Sequence, residues 1–317
     1  MSRAEPMYGG IKLNAAITSD NHLDINAKTN KERIRIIRKT LKDVQNSKAP
    51  FDAYITVGDM TSRGLTENWE YVKKCFEGRN PAKNILFALG NHDSWSKDGY
   101  NGYSDGIKNY YKYRKELCSV DGDTPYFSRV INGYHFIFLG STETPFDEDC
   151  ASFNEAEIEW LKAELDSADN SDRPIFIFCH QSINNHHGLP RTWEEKEQDW
   201  PADVGGIGKD SDKVKEIISS HKNVFYFSGH SHMGLCGEKS AEKNGYASFE
   251  NHGGVNYINL PCLTRPNHHG ETEETGWGCL LEVYGDRVLI RPRNFRKKKM
   301  NRKIAIQNGK PYLEIKL

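Results

Sequence analysis

Aspartate, asparagine and histidine recur at the ends of apolar runs in this sequence. Leu13–Ser19 is followed by Asp20-Asn21-His22, and Phe51–Val57 by Gly58-Asp59. Asn84–Leu89 leads into Gly90-Asn91-His92-Asp93, Pro174–Cys179 into His180, and Val224–Phe227 into Ser228-Gly229-His230-Ser231-His232. A single strand–Gly–Asp–loop junction is common, and most such aspartates merely cap the next element. Repetition is what carries the information. Two carboxylates, an amide oxygen and several imidazoles make a donor set suited to zinc, manganese or iron rather than to calcium or magnesium alone. Two such ions about 3.5 to 4 Å apart, sharing Asp59 as a bridge, would clamp the attacking and leaving oxygens in phosphoryl hydrolysis. Water between two cations loses a proton near neutral pH, so this chemistry needs no serine or cysteine nucleophile.

These side chains meet only if a sheet delivers them to one edge, as open α/β sheets deliver ligands to the carboxyl ends of their strands. The pattern fits that demand. Between the first two runs, Ile34, Ile37, Leu41 and Val44 form the apolar stripe of a helix over 31–45. Further helices are expected over 67–76, 107–117, 154–165 (capped by Asn154 or Ser152) and 214–218, and 95–106 reads as loop. Asn132-Gly133 between Tyr126–Ile131 and Tyr134–Leu139 marks a hairpin. The long segment 184–209, with Trp193 and Trp200, reads as a packed cover. Beyond residue 236 the expected elements are strands: Tyr246–Phe249, Val255–Leu260, Trp277–Tyr284, Arg287–Arg291 and Lys303–Ile306.

At 317 residues the chain has room for one large α/β domain or two small ones, and for a sizeable core. A net charge of -1 points to neither a nucleic-acid nor a membrane partner. No apolar run is long enough to span a bilayer, and residues 1–10 lack a signal-peptide core. The seven cysteines are scattered without a CxxC pair, which implies reduced thiols and a cytoplasmic location. Cys179 should face away from His180 into the core, and Cys236 has no base beside it in sequence. His186-His187 and His268-His269 end no strand and read as exposed loop or substrate contacts, while His135 and His221 read as structural. The basic run 291–303 reads as a solvated turn between strands, with nucleic-acid binding not favoured.

The five strand-end blocks resemble the calcineurin-like metallophosphoesterase pattern of D-x-H, G-D-x-x-x-x-G, G-N-H-[DE], an isolated H, and G-H-x-H, in that order from Asp20 to His232. The resemblance implies an α/β fold, a four-layer αββα sandwich with two central mixed β-sheets. It divides the single domain into a metal-binding core over 11–235 and a β-rich portion over 236–317 that completes the second sheet. It implies two divalent transition-metal ions (Mn, Fe or Zn). Asp20, His22 and His232 would hold the first, Asn91, His180 and His230 the second, and Asp59 would bridge them. His92 would contact the phosphate and protonate the leaving oxygen, with Asp93 steering its imidazole. Arg63, matching the arginine of a G-D-x-x-x-R-G variant, would bind a phosphate oxygen. Ser62 stands where many members have aspartate and purple acid phosphatases have a tyrosine ligand; with His22 present, a ferric purple subtype is not expected. Gln181-Ser182 stands where many members have a second histidine or a proline after the isolated histidine. The implied activity is hydrolysis of a small phosphate ester by metal-bound hydroxide, with a lean towards phosphodiesters, as in the class III cyclic-nucleotide branch. The alternatives are a phosphomonoesterase or nucleotidase of the same fold, and a metal-free scaffold, against which the complete ligand set speaks.

Overall fold

The computed structural model describes residues 4–96, 103–142, 149–169, 172–196 and 198–317. Strand and helix alternate at first: β1 (Leu13–Thr18), α1 (Asn30–Gln45), β2 (Phe51–Thr56), α2 (Thr66–Phe76), β3 (Ala82–Phe87), α3 (Asn91–Ser94) and α4 (Tyr103–Cys118). β1, β2 and β3 pair in parallel, with Ile17 opposite Ile55 and Ile55 opposite Leu86. Every residue of β1 and β2 is buried, as expected of parallel strands covered on both faces.

A second sheet follows: β4 (Phe127–Ile131), β5 (Tyr134–Phe138), α5 (Glu155–Asp169), β6 (Ile175–Phe178), α6 (Ser211–Ser219), β7 (Val224–Ser228), α7 (Glu238–Asn244), β8 (Phe249–His252) and β9 (Val255–Asn259). Its order is β4-β5-β6-β7-β9-β8, with β5, β6, β7 and β9 parallel. The chain then returns to the first sheet with β10 (Trp277–Val283), β11 (Arg287–Asn294), β12 (Lys299–Met300) and β13 (Leu313–Lys316). β10 lies antiparallel on β1, giving the order β12-β11-β10-β1-β2-β3 with β13 on β11.

Two-residue alternation sorts the second sheet into two faces. Phe136, Phe138, Phe176, Phe178, Phe225 and Phe227 enter one core with the first sheet and with α1, α2 and α4. Their rings stack across strands, with centroids 4.8 Å apart for Phe138–Phe178 and 5.1 Å for Phe178–Phe227. The intervening Ile137, Ile175, Ile177, Val224 and Tyr226 pack with α5 and α6, and Cys179 lies among them. The result is the expected four-layer αββα sandwich.

The C-terminal part departs from expectation in several places. Residues 236–317 do not simply complete the second sheet: β8 and β9 join it, whereas β10–β13 build out the first. A helix, α7, precedes β8, which begins where the expected strand Tyr246–Phe249 would end. With the sequence EKSAEKN it carries no apolar stripe for periodicity to detect, and it closes on Gly245 at φ +79°. Lys303–Ile306 is not a strand. Its carbonyl at Ile304 bonds the Asn301 side chain and its Ile306 N–H bonds Lys310, so the final strand forms only at Leu313. In the 95–106 segment, helix α4 already starts at Tyr103, and 97–102 lie outside the described residues.

A buried ion pair and a buried carboxyl in this framework have measurable consequences. Arg293 on β11 forks onto Asp43 of α1 (Nε–Oδ2 2.8 Å, Nη2–Oδ1 3.0 Å), and both groups are buried. Arg293→Met should lower unfolding free energy by about 3–5 kcal/mol in urea titrations, because it strands the Asp43 charge. The double variant Arg293→Met/Asp43→Leu should recover most of that loss. In α5, Asn154 caps the helix by accepting the Glu157 N–H at 2.9 Å. The Glu157 carboxylate accepts the Gly140 N–H at 3.2 Å, and burial pushes its pKa well above the ordinary value. A carboxyl raised on folding contributes its full stability below the unfolded pKa and loses it as pH rises through the folded pKa. Glu157→Gln should therefore raise the urea midpoint at about pH 8 and leave it unchanged at about pH 4.

Candidate metal centre

The carboxyl ends of β1, β2, β3, β6 and β7 meet along the seam between the sheets. Asp20 N–H donates to the Gly58 carbonyl (3.2 Å), His22 N–H to that of Asp59 (2.9 Å) and Gly229 N–H to that of His180 (3.0 Å). His180 Nδ1–H reaches across the seam to the Val57 carbonyl at 2.7 Å. From the other sheet, His230 N–H donates to Asp20 Oδ2 at 3.2 Å. Such close approach explains two glycines: a Cβ at Gly90 would overlap the Asp59 backbone nitrogen and Oδ1, and one at Gly229 would overlap Asp20 Oδ2 and Ser19 Oγ. Asp20, His22, Asp59, His230 and His232 all take left-handed backbone angles, with φ from 43° to 67°. That conformation costs non-glycine residues about 1–2 kcal/mol each and collects at functional sites.

The side chains converge closely. His22 Nε2 lies 2.9 Å from His232 Nε2 and 3.5 Å from both Asp20 Oδ1 and Asp59 Oδ2. His232 Nε2 is 3.2 Å from Asp20 Oδ1, and His180 Nε2 is 3.2 Å from Asp59 Oδ2. Burial opposes ionisation of Asp20 and Asp59, but the surrounding imidazoles overcome it and hold both carboxyls well below the usual range. Burial keeps His22 and His230 neutral by lowering each to about 3. Burial acts on His180 as well, yet Asp59 and Asp20 outweigh it and raise that ring to about 9. Ionised carboxylates beside neutral imidazoles are the protonation states that a divalent cation requires of its ligands.

Buried Asp20 Oδ1, His22 Nδ1 and His180 Nε2 have no hydrogen-bond partner among the described residues. His180 and His230 each fix one ring nitrogen on a backbone carbonyl, Val57 and Asp149 respectively; the other nitrogen of neutral His230 keeps its lone pair, whereas the proton that Asp59 and Asp20 favour on His180 would have to leave before that ring could bind a cation. Asp20, Asp59 and His180 form one compact group of ligand atoms, and Asp59 recurs in a second with His22 and His92. The residues present therefore fit a dinuclear transition-metal site with Asp59 shared.

The other expected site residues separate. Asn91 and His92 line the same cleft, and the His92 N–H donates to Asp59 Oδ1 at 3.1 Å. Asp93 does not steer the His92 ring, whose Nδ1 instead bonds the Ser62 carbonyl at 3.0 Å. The Asp93 carboxylate accepts the Met60, Thr61 and Gly90 N–H groups and the Thr61 hydroxyl, bracing the turn after β2. The capping geometry of α3 turns it inward, away from the ring. Arg63 is exposed and is not among the residues that line the cleft. His186 and His187 are buried away from the cleft rather than exposed, with His186 packed on Tyr257 and His187 bonded to Ala247 O. His268 does line the cleft.

That cleft, about 290 Å³, is also lined by Trp95, from the segment read as loop, by Trp193 and Glu194, from the expected cover, and by Asp149 and Arg265, which sequence reasoning gave no role. Cys262 places its sulfur among the His22 and His232 nitrogens, and it too was missed. The signal for Cys262 and Arg265 was available: Val255–Leu260 is another apolar run, β9 is parallel to β7, and its carboxyl end reaches the same edge.

Comparison with known proteins agrees with this geometry. The sequence profile described as calcineurin-like phosphoesterase matches residues 13–234. Among solved structures, a dimetal phosphatase from Danio rerio is 13% identical with a TM-score of 0.61, over 96% of this chain and 99% of that one, and so shares the fold. A conserved uncharacterized protein and predicted phosphoesterase from Streptococcus pneumoniae is 11% identical over 96% of this chain and 98% of that one, with a TM-score of 0.39. Zinc-complexed Vps29 from Entamoeba histolytica is 8% identical over 96% and 99%, with a TM-score of 0.38. The last two are too distant to support any argument. No curated protein matches the chain significantly. With the profile spanning the strand ends that carry the converging acids and imidazoles, this chain belongs to the calcineurin-like phosphoesterase family, hydrolases that act on phosphate esters with a dinuclear metal centre.

Proposed function

We propose that this protein hydrolyses a small phosphodiester at a centre of two divalent transition-metal ions, manganese, iron or zinc. One observation supports this most directly: a single buried carboxylate oxygen, Asp59 Oδ2, lies 3.5 Å from His22 Nε2 and 3.2 Å from His180 Nε2. It faces both halves of the ligand set. In this reading Asp20, His22 and His232 hold the first ion, Asn91, His180 and His230 the second, and Asp59 both. The bound ions supply Lewis acidity and water activation for in-line displacement at phosphorus.

The protein's own groups then position the ester. His92 has its Nδ1 held by the Ser62 carbonyl and its Nε2 4.0 Å from Asp59 Oδ2, at the cleft wall. When protonated it donates from Nε2 to the leaving oxygen, and burial lowers its pKa, making it a stronger acid. Asp93 is a positioning residue that acts through the Met60–Thr61 backbone. Trp95 packs on His92 and Trp193 on His230, with ring centroids 3.9 Å and 4.6 Å apart. A cleft of about 290 Å³ with two indole walls suits a compact ester carrying a flat aromatic group. A polymeric nucleic acid is not favoured, because charges of the 291–303 run are met within the protein: Arg291 by Glu282, Arg293 by Asp43, Arg296 by Glu32 and Lys297 by Glu274. No helix among the described residues is long and apolar enough to cross a membrane. We infer a cytoplasmic setting from the seven cysteines, all free and buried.

Elemental analysis paired with hydrolysis of a bis-aryl phosphate and an aryl phosphate tests this reading. Two metal equivalents with faster diester turnover are expected; turnover of the monoester alone would favour a phosphatase, and absence of metal and activity after manganese addition would leave a scaffold. His92→Ala should lower kcat by about 10²- to 10⁴-fold while retaining both metal equivalents. Asp59→Ala should lose metal as well as activity, and an Asp59→Ala protein that still holds two equivalents would exclude the bridging role.

A further inference from the structure

The segment after β9 crosses the metal centre as a strap bonded to the loop that carries Asp20 and His22. Leu263 N–H donates to the Ser19 carbonyl at 3.0 Å, the Cys262 thiol to that of Asp20 at 3.1 Å, and the Thr264 hydroxyl to that of Asn21 at 2.7 Å. Asn267 clamps the base of the strap, accepting the Cys262 N–H at 2.6 Å and donating to its carbonyl at 3.0 Å. The Arg265 N–H closes the turn on Cys262 Sγ at 3.2 Å. Each carbonyl of the Ser19–Asn21 loop is thus met by the strap, which fixes where the next side chain begins. That side chain is Arg265.

Arg265 lines the cleft together with Asp59, Asn91, His92, His232 and His268. No ion pair or side-chain hydrogen bond holds its guanidinium among the described residues. The half-buried guanidinium shares the cleft with the Asp59, Asp149 and Glu194 carboxylates, yet among the described residues it forms an ion pair with none of them, so its donors remain available in the cleft. Its placement is explained by an anion that occupies the cleft with it. Arg63, in contrast, is exposed and outside the cleft.

We propose that Arg265 binds the non-bridging oxygens of the substrate's phosphoryl group, as the cationic clamp that the metal-ligand loops themselves do not supply. The planar fork of a guanidinium matches two such oxygens, and the charge that builds on them in the transition state strengthens the contact. The inference rests on the phosphoesterase reading above, and it gives the strap outside the matched family region a role in the chemistry.

The test compares native protein, Arg265→Ala and Arg265→Lys, each loaded with manganese. Its readouts are metal content, binding of inorganic phosphate by calorimetry, and hydrolysis of aryl phosphate mono- and diesters. Arg265→Ala should keep the native metal content, bind phosphate on the order of tenfold more weakly, and lose about 10²- to 10³-fold in kcat/KM, the scale of one transition-state donor. Added guanidinium should restore part of that rate. Arg265→Lys should recover charge but not the fork, and remain at least about tenfold below native. Phosphate binding and kcat/KM within about threefold of native for Arg265→Ala would overturn the proposal. Should Arg265→Ala fail to fold or lose metal, Arg265→Lys decides by the same phosphate measurement: native affinity overturns the fork, and weakened affinity supports it. If the native protein hydrolyses no ester, the phosphoesterase reading fails, and phosphate binding still decides the place of Arg265.

Discussion

Two carboxylates with almost no solvent exposure, Asp20 and Asp59, sit side by side where the two sheets meet. Charge buried at that depth is unfavourable unless it is paired, and its demand for partners organises what surrounds it. His180 crosses the seam to lie between them, at 3.8 Å from Asp20 and 3.2 Å from Asp59, while His22 and His232 close the other side. Left-handed backbone at Asp20, His22, Asp59, His230 and His232 turns these short loops so that their side chains aim inward. The strain is sustained because the flanking strands are buried and paired on both sides.

The sandwich supplies the rigidity, and the loops build the walls of the cleft. Cross-strand stacks such as Phe138–Phe178–Phe227 lock the second sheet against the first, and the Arg293–Asp43 fork ties the last long strand to the first helix. The ligand-bearing ends therefore project from a frame with little freedom. The cover is built differently. Trp193 packs with Leu189, Val204 and Trp200 in a small cluster of its own, and the 266–276 segment reaches it through His269, whose Nε2–H donates to the Glu194 carbonyl at 2.7 Å. Segments far apart in the chain thus join beside the candidate metal centre.

Much of the site was legible because its residues follow a local rule: an apolar run, a turn, then an acid or imidazole. Asp20, Asp59, Asn91, His180 and His230 each obey it, and the family resemblance that these blocks carry implied the layer order. The rule failed where side-chain direction mattered more than position. Asp93 adjoins His92 in sequence, yet it binds backbone N–H groups of the neighbouring loop, and the Ser62 carbonyl holds the ring. Arg63 lies in the loop after Asp59, yet it is exposed and absent from the described cleft lining. α7 and β13 escaped notice because one lacks an apolar stripe and the other is short and half-exposed.

Sequence alone determined which donor atoms the strand ends carry, since residue type fixes donor chemistry and motif spacing fixes which strand end carries each. It also determined the alternation that makes two covered sheets. Tertiary structure decided which cation joins the cleft, Arg265 rather than Arg63, and it brought Cys262, Trp95 and Trp193 to the centre. It assigned β10–β13 to the first sheet instead of the second. The physical reason is common to all of these. A residue's type and local pattern are written along the chain, whereas strand order and side-chain direction depend on contacts between segments hundreds of residues apart, such as Cys262 with Asp20.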